Sequence, residues 1–261
     1  MVSFSRMFLI LYLILLVPTV SGAELELAIA DSTCSVLKKV GKSFTQKHNI
    51  PLRFTCKSSG LLAKGLETGV IQADFFLSAN KKWMESMVAA GLVSKQSVQT
   101  LWANKLIVVE PVGRTSRINS LNDLTSPDFT RIIIGDPSHA PFGRYAKTAL
   151  QKAGIWSEIR NKIISRKYIS LAIKSIQEGT PGTAGIIYRS GLDPTLRPLF
   201  TISSDLSGPI HYFSAPLITS ESKKEMVSFL AFLESVESRK LFEEAGFVTV
   251  DSNSPVSTSL P

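Results

Sequence analysis

The sequence predicts an α/β protein built on mostly parallel sheets, and three observations support this. Short apolar runs alternate with amphipathic stretches of helical period along most of the chain. Glycine or proline stands at the ends of many of these stretches, where helices stop and turns begin. Strands alternating with helices pack as crossover units, which favour parallel pairing. No short-period repeat is visible, which argues against a solenoid.

The first strand covers residues 25–30. A helix over residues 36–44 then sets Val36, Leu37, Val40 and Phe44 on one face. A second strand follows over residues 52–55, with a short helix over 61–69 that ends in glycine. Residues 75–77 read as a third strand, and 81–90 as a helix with Gly91 at its end. The strand over 106–109 is bounded by Pro111 and Gly113.

The second half repeats the alternation. Residues 131–134 form a buried strand that ends in Gly135-Asp136-Pro137. Residues 142–153 are helical, with Pro141 well suited to the start of the first turn. A helix over 169–177, a strand over 185–188 and a strand over 213–218 follow. Residues 222–245 carry helical periodicity up to Gly246.

The two ends read differently. Arg6, an apolar run over residues 8–17 and Ser21-Gly22-Ala23 have the order of a cleavable secretory signal peptide, residues 1–23. That run falls short of the ~20 residues that span a bilayer. The residue directly after Ala23 is Glu24, not a cysteine that could carry a lipid, so a freely soluble exported protein is expected. The tail over residues 251–261 is rich in serine and proline and is expected to be disordered.

Composition narrows the function classes. The apolar fraction of 44% and charged fraction of 19% suit a globular fold. The formal net charge of +8, which falls by one with Arg6, could steer anions or simply clothe the surface. No basic run is interleaved with aromatics, so a nucleic-acid partner is not expected. Cys34 and Cys56 are the two cysteines. An oxidising compartment favours pairing them, although the sequence leaves open whether their Cα atoms come within ~7 Å. Two thiols without a nearby histidine do not make a zinc site. His48, His139 and His211 fall in no nucleophile or metal motif, so no catalytic residue is assigned.

Three loops share one character. Ala30-Asp31-Ser32-Thr33, Lys57-Ser58-Ser59-Gly60 and the segment from Asp136 to Gly143 each follow a strand and precede a helix. In open parallel sheets ligands bind beyond such strand ends. Helix N-termini there offer unpaired donors and positive potential, enough to hold an anion without a lysine or arginine. Ordinary N-capping by Ser32 and Ser59 is the competing reading.

The chain resembles the periplasmic molybdate-binding proteins of ABC importers, from about residue 25 to residue 250. The strongest stretches are Ala73-Asp74-Phe75-Phe76-Leu77-Ser78-Ala79-Asn80-Lys81-Lys82-Trp83-Met84 and Gly135-Asp136-Pro137 through Gly143-Arg144-Tyr145-Ala146-Lys147. Gly185-Ile186-Ile187-Tyr188 and Gly246-Phe247 add to them. The resemblance implies two α/β lobes, residues 24–104 plus 213–250 and residues 105–212, with an oxyanion held between them. It implies a ligand set of the Ser32 and Ser59 hydroxyls, the backbone amides of Phe142 and Ile169, and the Tyr188 hydroxyl. It also implies a monomer that hands molybdate or tungstate to a membrane permease, without cofactor or turnover.

Several residues depart from that pattern. Asp31 stands where the family has a small apolar residue, and Phe142 replaces a small one. Arg189-Ser190-Gly191 follows Tyr188 where serine and aspartate are usual. Asp31 turned away would cap or pair; turned inward it would favour hydrogen phosphate over a bare dianion. Sulfate, phosphate or a small organic anion remain alternative ligands. A hydrolase acting on such esters is the alternative from another class.

Overall fold

The computed structural model describes residues 24–220 and 223–250. The expected signal peptide and serine-rich tail lie outside the described residues.

β1 (Leu25–Ala30) is a nearly fully buried run. A 3-10 turn over Asp31–Thr33 leads from it into α1 (Cys34–His48), whose Val36, Leu37, Val40 and Phe44 face the core. β2 (Leu52–Lys57), α2 (Ser59–Glu67), β3 (Phe75–Ser78) and α3 (Lys81–Ala89) continue the alternation. β4 (Gln99–Asn104) and β5 (Leu106–Pro111) are separated by Lys105 alone. Next come β6 (Arg131–Gly135), α4 (Pro141–Lys152), the single turn α5 (Trp156–Ile159) and β7 (Ile163–Arg166). α6 (Ile169–Gln177), β8 (Thr183–Tyr188), β9 (Leu196–Thr201) and the turn α7 (Ser204–Ser207) follow. β10 (Ile210–Pro216), α8 (Lys224–Leu233), α9 (Val236–Glu244) and β11 (Val248–Thr249) complete the described chain.

The strands make two sheets, in the orders β11-β4-β10-β3-β1-β2 and β7-β6-β8-β5-β9. β1 is parallel to β2 and β3, and β6 is parallel to β7 and β8. The other pairs are antiparallel. The cause is connection. β5 and β10 each arrive from the opposite sheet, so no crossover helix imposes a parallel direction on them. The fold is therefore two sheets flanked by helices, with the chain crossing between them at Lys105 and again over residues 202–209.

The elements the sequence concealed have physical reasons. The strand expected over 213–218 is Ile210–Pro216; His211 interrupts its apolar run, and its first residues already pair with β4. β4 begins with Gln99 and ends with Asn104, polar ends that disguise it. β9 contains Pro198, which an edge position tolerates, and it does lie at the edge of its sheet. The long helix expected over 222–245 is two, because Ser235 starts a new one by accepting from the Ser238 N–H at 3.2 Å.

Aromatic packing fixes the C-terminal helices to the first sheet. Phe229 of α8 meets Phe44 and Phe75 edge-on, with centroids 5.3 and 5.5 Å apart. Phe242 of α9 stacks flat on Trp102 of β4 at 3.7 Å. The edge-on contacts suit the ring quadrupole, and the close stack adds buried apolar area.

Candidate functional site

The carboxyl ends of β1, β2 and β3 face those of β6, β7 and β8 across a narrow cleft. A hollow of about 10 Å³ remains between them, roughly the space of one water-sized sphere. Ser32, Ser59, Phe142, Ile169 and Tyr188 all line it. Residues named from four separate loops and one strand end thus converge on one point.

Each wall is positioned by a local rule. Ser32 sits in the turn between β1 and α1; Ser59 is the first residue of α2. Neither hydroxyl caps its own helix, which sets aside the N-capping reading. Instead Ser59 Oγ accepts from the Ala79 N–H at 3.1 Å, and Ser32 Oγ lies 3.1 Å from the Tyr212 hydroxyl. Phe142 and Ile169 stand in the first turns of α4 and α6, where N–H groups have no acceptor within the helix. α4 comes this close to the end of β6 because both residues at the contact are glycine. A Cβ on Gly143 would stand 2.1 Å from the Gly135 carbonyl oxygen.

Tyr188 ends β8 with its ring 1% exposed. The Phe142 ring lies 5.9 Å away on one side and the Tyr212 ring 6.1 Å away on the other. The Tyr188 hydroxyl is buried and makes no hydrogen bond to any of the described residues. The Ser58 hydroxyl, also on the hollow, is in the same condition. Burial, reinforced by the neighbouring Tyr212 and Tyr145, raises the Tyr188 pKa well above the usual phenol value. The Tyr188 phenol therefore keeps its proton at neutral pH.

Asp31 acts as a cap, one of the two roles the sequence left open. Its carboxylate reaches across the cleft and accepts from the Ser170 N–H and hydroxyl, both at 3.3 Å. It caps a helix, but one belonging to the opposite sheet. A second backbone contact crosses the cleft nearby, from the Gly60 N–H to the His139 carbonyl at 3.3 Å. A Cβ on Gly60 would meet the Trp83 ring at 2.7 Å, so glycine allows that approach.

Behind Ser32 lies a buried polar network that motif reading missed. Asn104 Nδ2 donates to the Tyr212 hydroxyl at 3.2 Å and to Ser190 Oγ at 2.7 Å. Ser190 belongs to the segment that departs from the family pattern after Tyr188, and this is the contact it makes. Residues 104, 190 and 212 lie far apart in the chain and carry no shared motif, so only the strand pairing unites them. Ser58, though in a loop already singled out, was given no role, and Lys167 was not named, for a different reason. They sit beside named residues on the hollow, and single-residue matching passed over them.

Cys34 and Cys56 are joined, with Cα atoms 5.9 Å apart. The bond ties the start of α1 to the end of β2, beside both serine loops. Arg144 faces an outer groove with Lys82 and Lys147 and does not line the hollow. His139 Nδ1 is 2.6 Å from Ser138 Oγ and 3.4 Å from Asp136 Oδ2. Both partners share one ring nitrogen, whereas a nucleophile–base–carboxylate relay needs both nitrogens. Among the described residues, no group of three or more His, Cys, Asp or Glu could hold a metal ion.

Comparison with known proteins agrees with this architecture. A family model described as bacterial extracellular solute-binding protein matches residues 25–248. The molybdate-binding protein ModA of Escherichia coli (strain K12) is 28% identical over 224 residues, covering 84% of this chain and 86% of that protein. The periplasmic molybdate-binding protein of Azotobacter vinelandii superposes with a TM-score of 0.77 at 17% identity, covering 86% of this chain and 99% of that one. The sulfate-binding protein SubI of Mycobacterium tuberculosis H37Rv superposes at 0.75 and 16% identity, covering 87% of each chain. At such structural identities the likeness speaks for the fold. The family match spans both sheets and every loop on the hollow, and the chain belongs to the bacterial extracellular solute-binding proteins.

Proposed function

We propose that this protein captures a tetrahedral oxyanion, molybdate or tungstate, in the hollow and delivers it to the permease of an ABC importer. The observation that carries the reading is the Tyr188 hydroxyl, buried, unpartnered and on the same hollow as the Ser32 and Ser59 hydroxyls. A buried hydroxyl without a partner costs about 1–3 kcal/mol, so an acceptor entering the hollow would recover that cost. Molybdate at neutral pH is a dianion with no proton to give. It is best met by donors alone, and two helix N-termini add favourable potential. The likeness to ModA of Escherichia coli supports the same ligand class.

In this reading binding involves no turnover. The lobes part and close about the two crossovers at Lys105 and residues 202–209. The lobes would be residues 24–104 with the segment from Ile210 onward, and residues 105–209, so the expected return at 213 moves to the start of β10. Residues 1–23 direct export to the periplasm, where the protein acts as a monomer.

Calorimetric titration with molybdate, tungstate, sulfate and phosphate in turn tests the proposal. Saturable binding of molybdate and tungstate, with sulfate weaker, is expected. Absence of binding to all four would overturn it. Release of product from phosphate or sulfate esters would favour the hydrolase reading instead.

A further inference from the structure

From the hydrogen-bond pattern behind the hollow, we infer that Tyr212, held by Asn104, is a positioning residue that turns the Ser32 proton toward the ligand and so selects unprotonated oxyanions. The inference rests on the oxyanion reading above and deepens it. The argument is an accounting of donors and acceptors.

Asn104 Oδ1 accepts from the Lys105 N–H at 2.9 Å, which fixes the direction of the amide. Its Nδ2 therefore faces Tyr212 and Ser190, and an amide nitrogen can only donate. The Tyr212 oxygen is thus an acceptor toward Asn104. Its own proton can go to Ser32 Oγ at 3.1 Å, because the neighbouring Ser190 hydroxyl, which also interacts with Tyr212, already accepts from Asn104. Tyr212 is fully buried, and burial raises its pKa above the ordinary phenol value, so that proton stays in place. Ser32 then accepts from Tyr212, and its own O–H is left for the hollow. Ser59 is polarised likewise, because its oxygen accepts from the Ala79 N–H.

Both serines consequently act as donors at the point where an anion would sit. A dianion without a proton is satisfied by them. Inorganic phosphate carries at least one proton near neutral pH and needs an acceptor, and the Ser32 and Ser59 oxygens, each already accepting one hydrogen bond, are weakened for that role. Asp31, the nearest carboxylate on the hollow, is turned to Ser170.

Tyr212→Phe keeps the ring against Phe247 and Tyr188 and deletes only the proton that directs Ser32. Molybdate and inorganic phosphate are titrated into the wild type, Tyr212→Phe, Ser32→Ala and the double variant. Molybdate affinity is expected to fall about tenfold in Tyr212→Phe, the size of one hydrogen bond to a charged group. The molybdate-to-phosphate ratio should fall with it, since the freed Ser32 oxygen can accept the phosphate proton. In the Ser32→Ala background Tyr212→Phe should add nothing, because Tyr212 acts through Ser32. Unchanged molybdate affinity, an equal loss for both anions, or full additivity in the double variant would each overturn the inference. Asn104→Leu removes the donor that sets the direction of the phenol, carries the same expectation for the ratio, and serves if Tyr212→Phe does not fold. A wild type that binds neither anion would defeat the oxyanion reading itself, and the inference with it.

Discussion

Asp31 and Ser170 join the two sheets across the cleft: one carboxylate oxygen accepts from both the backbone N–H and the hydroxyl of Ser170. Ser170 is the second residue of α6, so a negative charge already occupies a helix end beside the hollow. That charge has two opposed effects. It links the halves of the molecule, and it repels any dianion that enters.

Asp31→Asn separates these effects, since the amide oxygen still accepts from Ser170 while the charge is gone. Two like charges a few ångströms apart near a surface interact by a few kcal/mol at most, reduced by solvent. Affinity for molybdate is therefore expected to rise by about tenfold. The gain should shrink as salt is added, because screening weakens the repulsion in the wild type. Titration at two ionic strengths checks it; a fall in affinity would mean the link across the cleft outweighs the repulsion.

Tyr188→Phe should move stability and binding in opposite directions. Deleting a buried hydroxyl that lacks a partner is expected to stabilise the free protein by about 1 kcal/mol. The melting temperature would then rise by about 2–4 °C for a domain of this size. Molybdate affinity should nevertheless fall at least tenfold, the cost of one hydrogen bond to a charged group. Thermal melts with and without molybdate read both changes in one experiment.

Replacing both cysteines with serine removes a cross-link between residues 22 apart in sequence. Chain-entropy arguments put its contribution at about 3 kcal/mol. Because the bond sits beside the turn of Ser32 and the start of α2, a weaker oxyanion affinity is expected to accompany the lower stability. Denaturant unfolding and titration of the double variant test the two effects. Full affinity in a destabilised protein would show that the bond serves the fold alone.

Asp74 gives the fold a defined acid sensitivity. Burial alone would raise its pKa, but Lys223, the Glu26 N–H at 2.8 Å and the Ser220 hydroxyl at 2.7 Å together hold it below the usual carboxylate range. A lowered folded-state pKa means its stabilisation is complete above the unfolded value near 4 and is lost as pH falls through the folded one. Asp74→Asn should cost about 2 kcal/mol at pH 7, as expected for hydrogen bonds to a charged group. The gap to wild type should close at acid pH below 4. Unfolding measured from pH 7 down to pH 2 checks the direction.

The sequence by itself determined the α/β class and most helices, because apolar spacing and glycine stops are local properties of neighbouring residues. It also put the loops of Ser32 and Ser59 at strand ends and helix starts, while Phe142, Ile169 and Tyr188 came from the resemblance to molybdate-binding proteins through short motifs. Strands with polar ends or an internal proline, β4 and β9, escaped because their apolar pattern is interrupted. The tertiary structure alone decided that Asp31 reaches Ser170, that Asn104, Ser190 and Tyr212 stand behind Ser32, and that β5 and β10 run antiparallel to their neighbours. Those relations join residues up to 180 positions apart. Hydrogen-bond direction and strand polarity arise only once two sheets are folded against each other, and no local pattern encodes them.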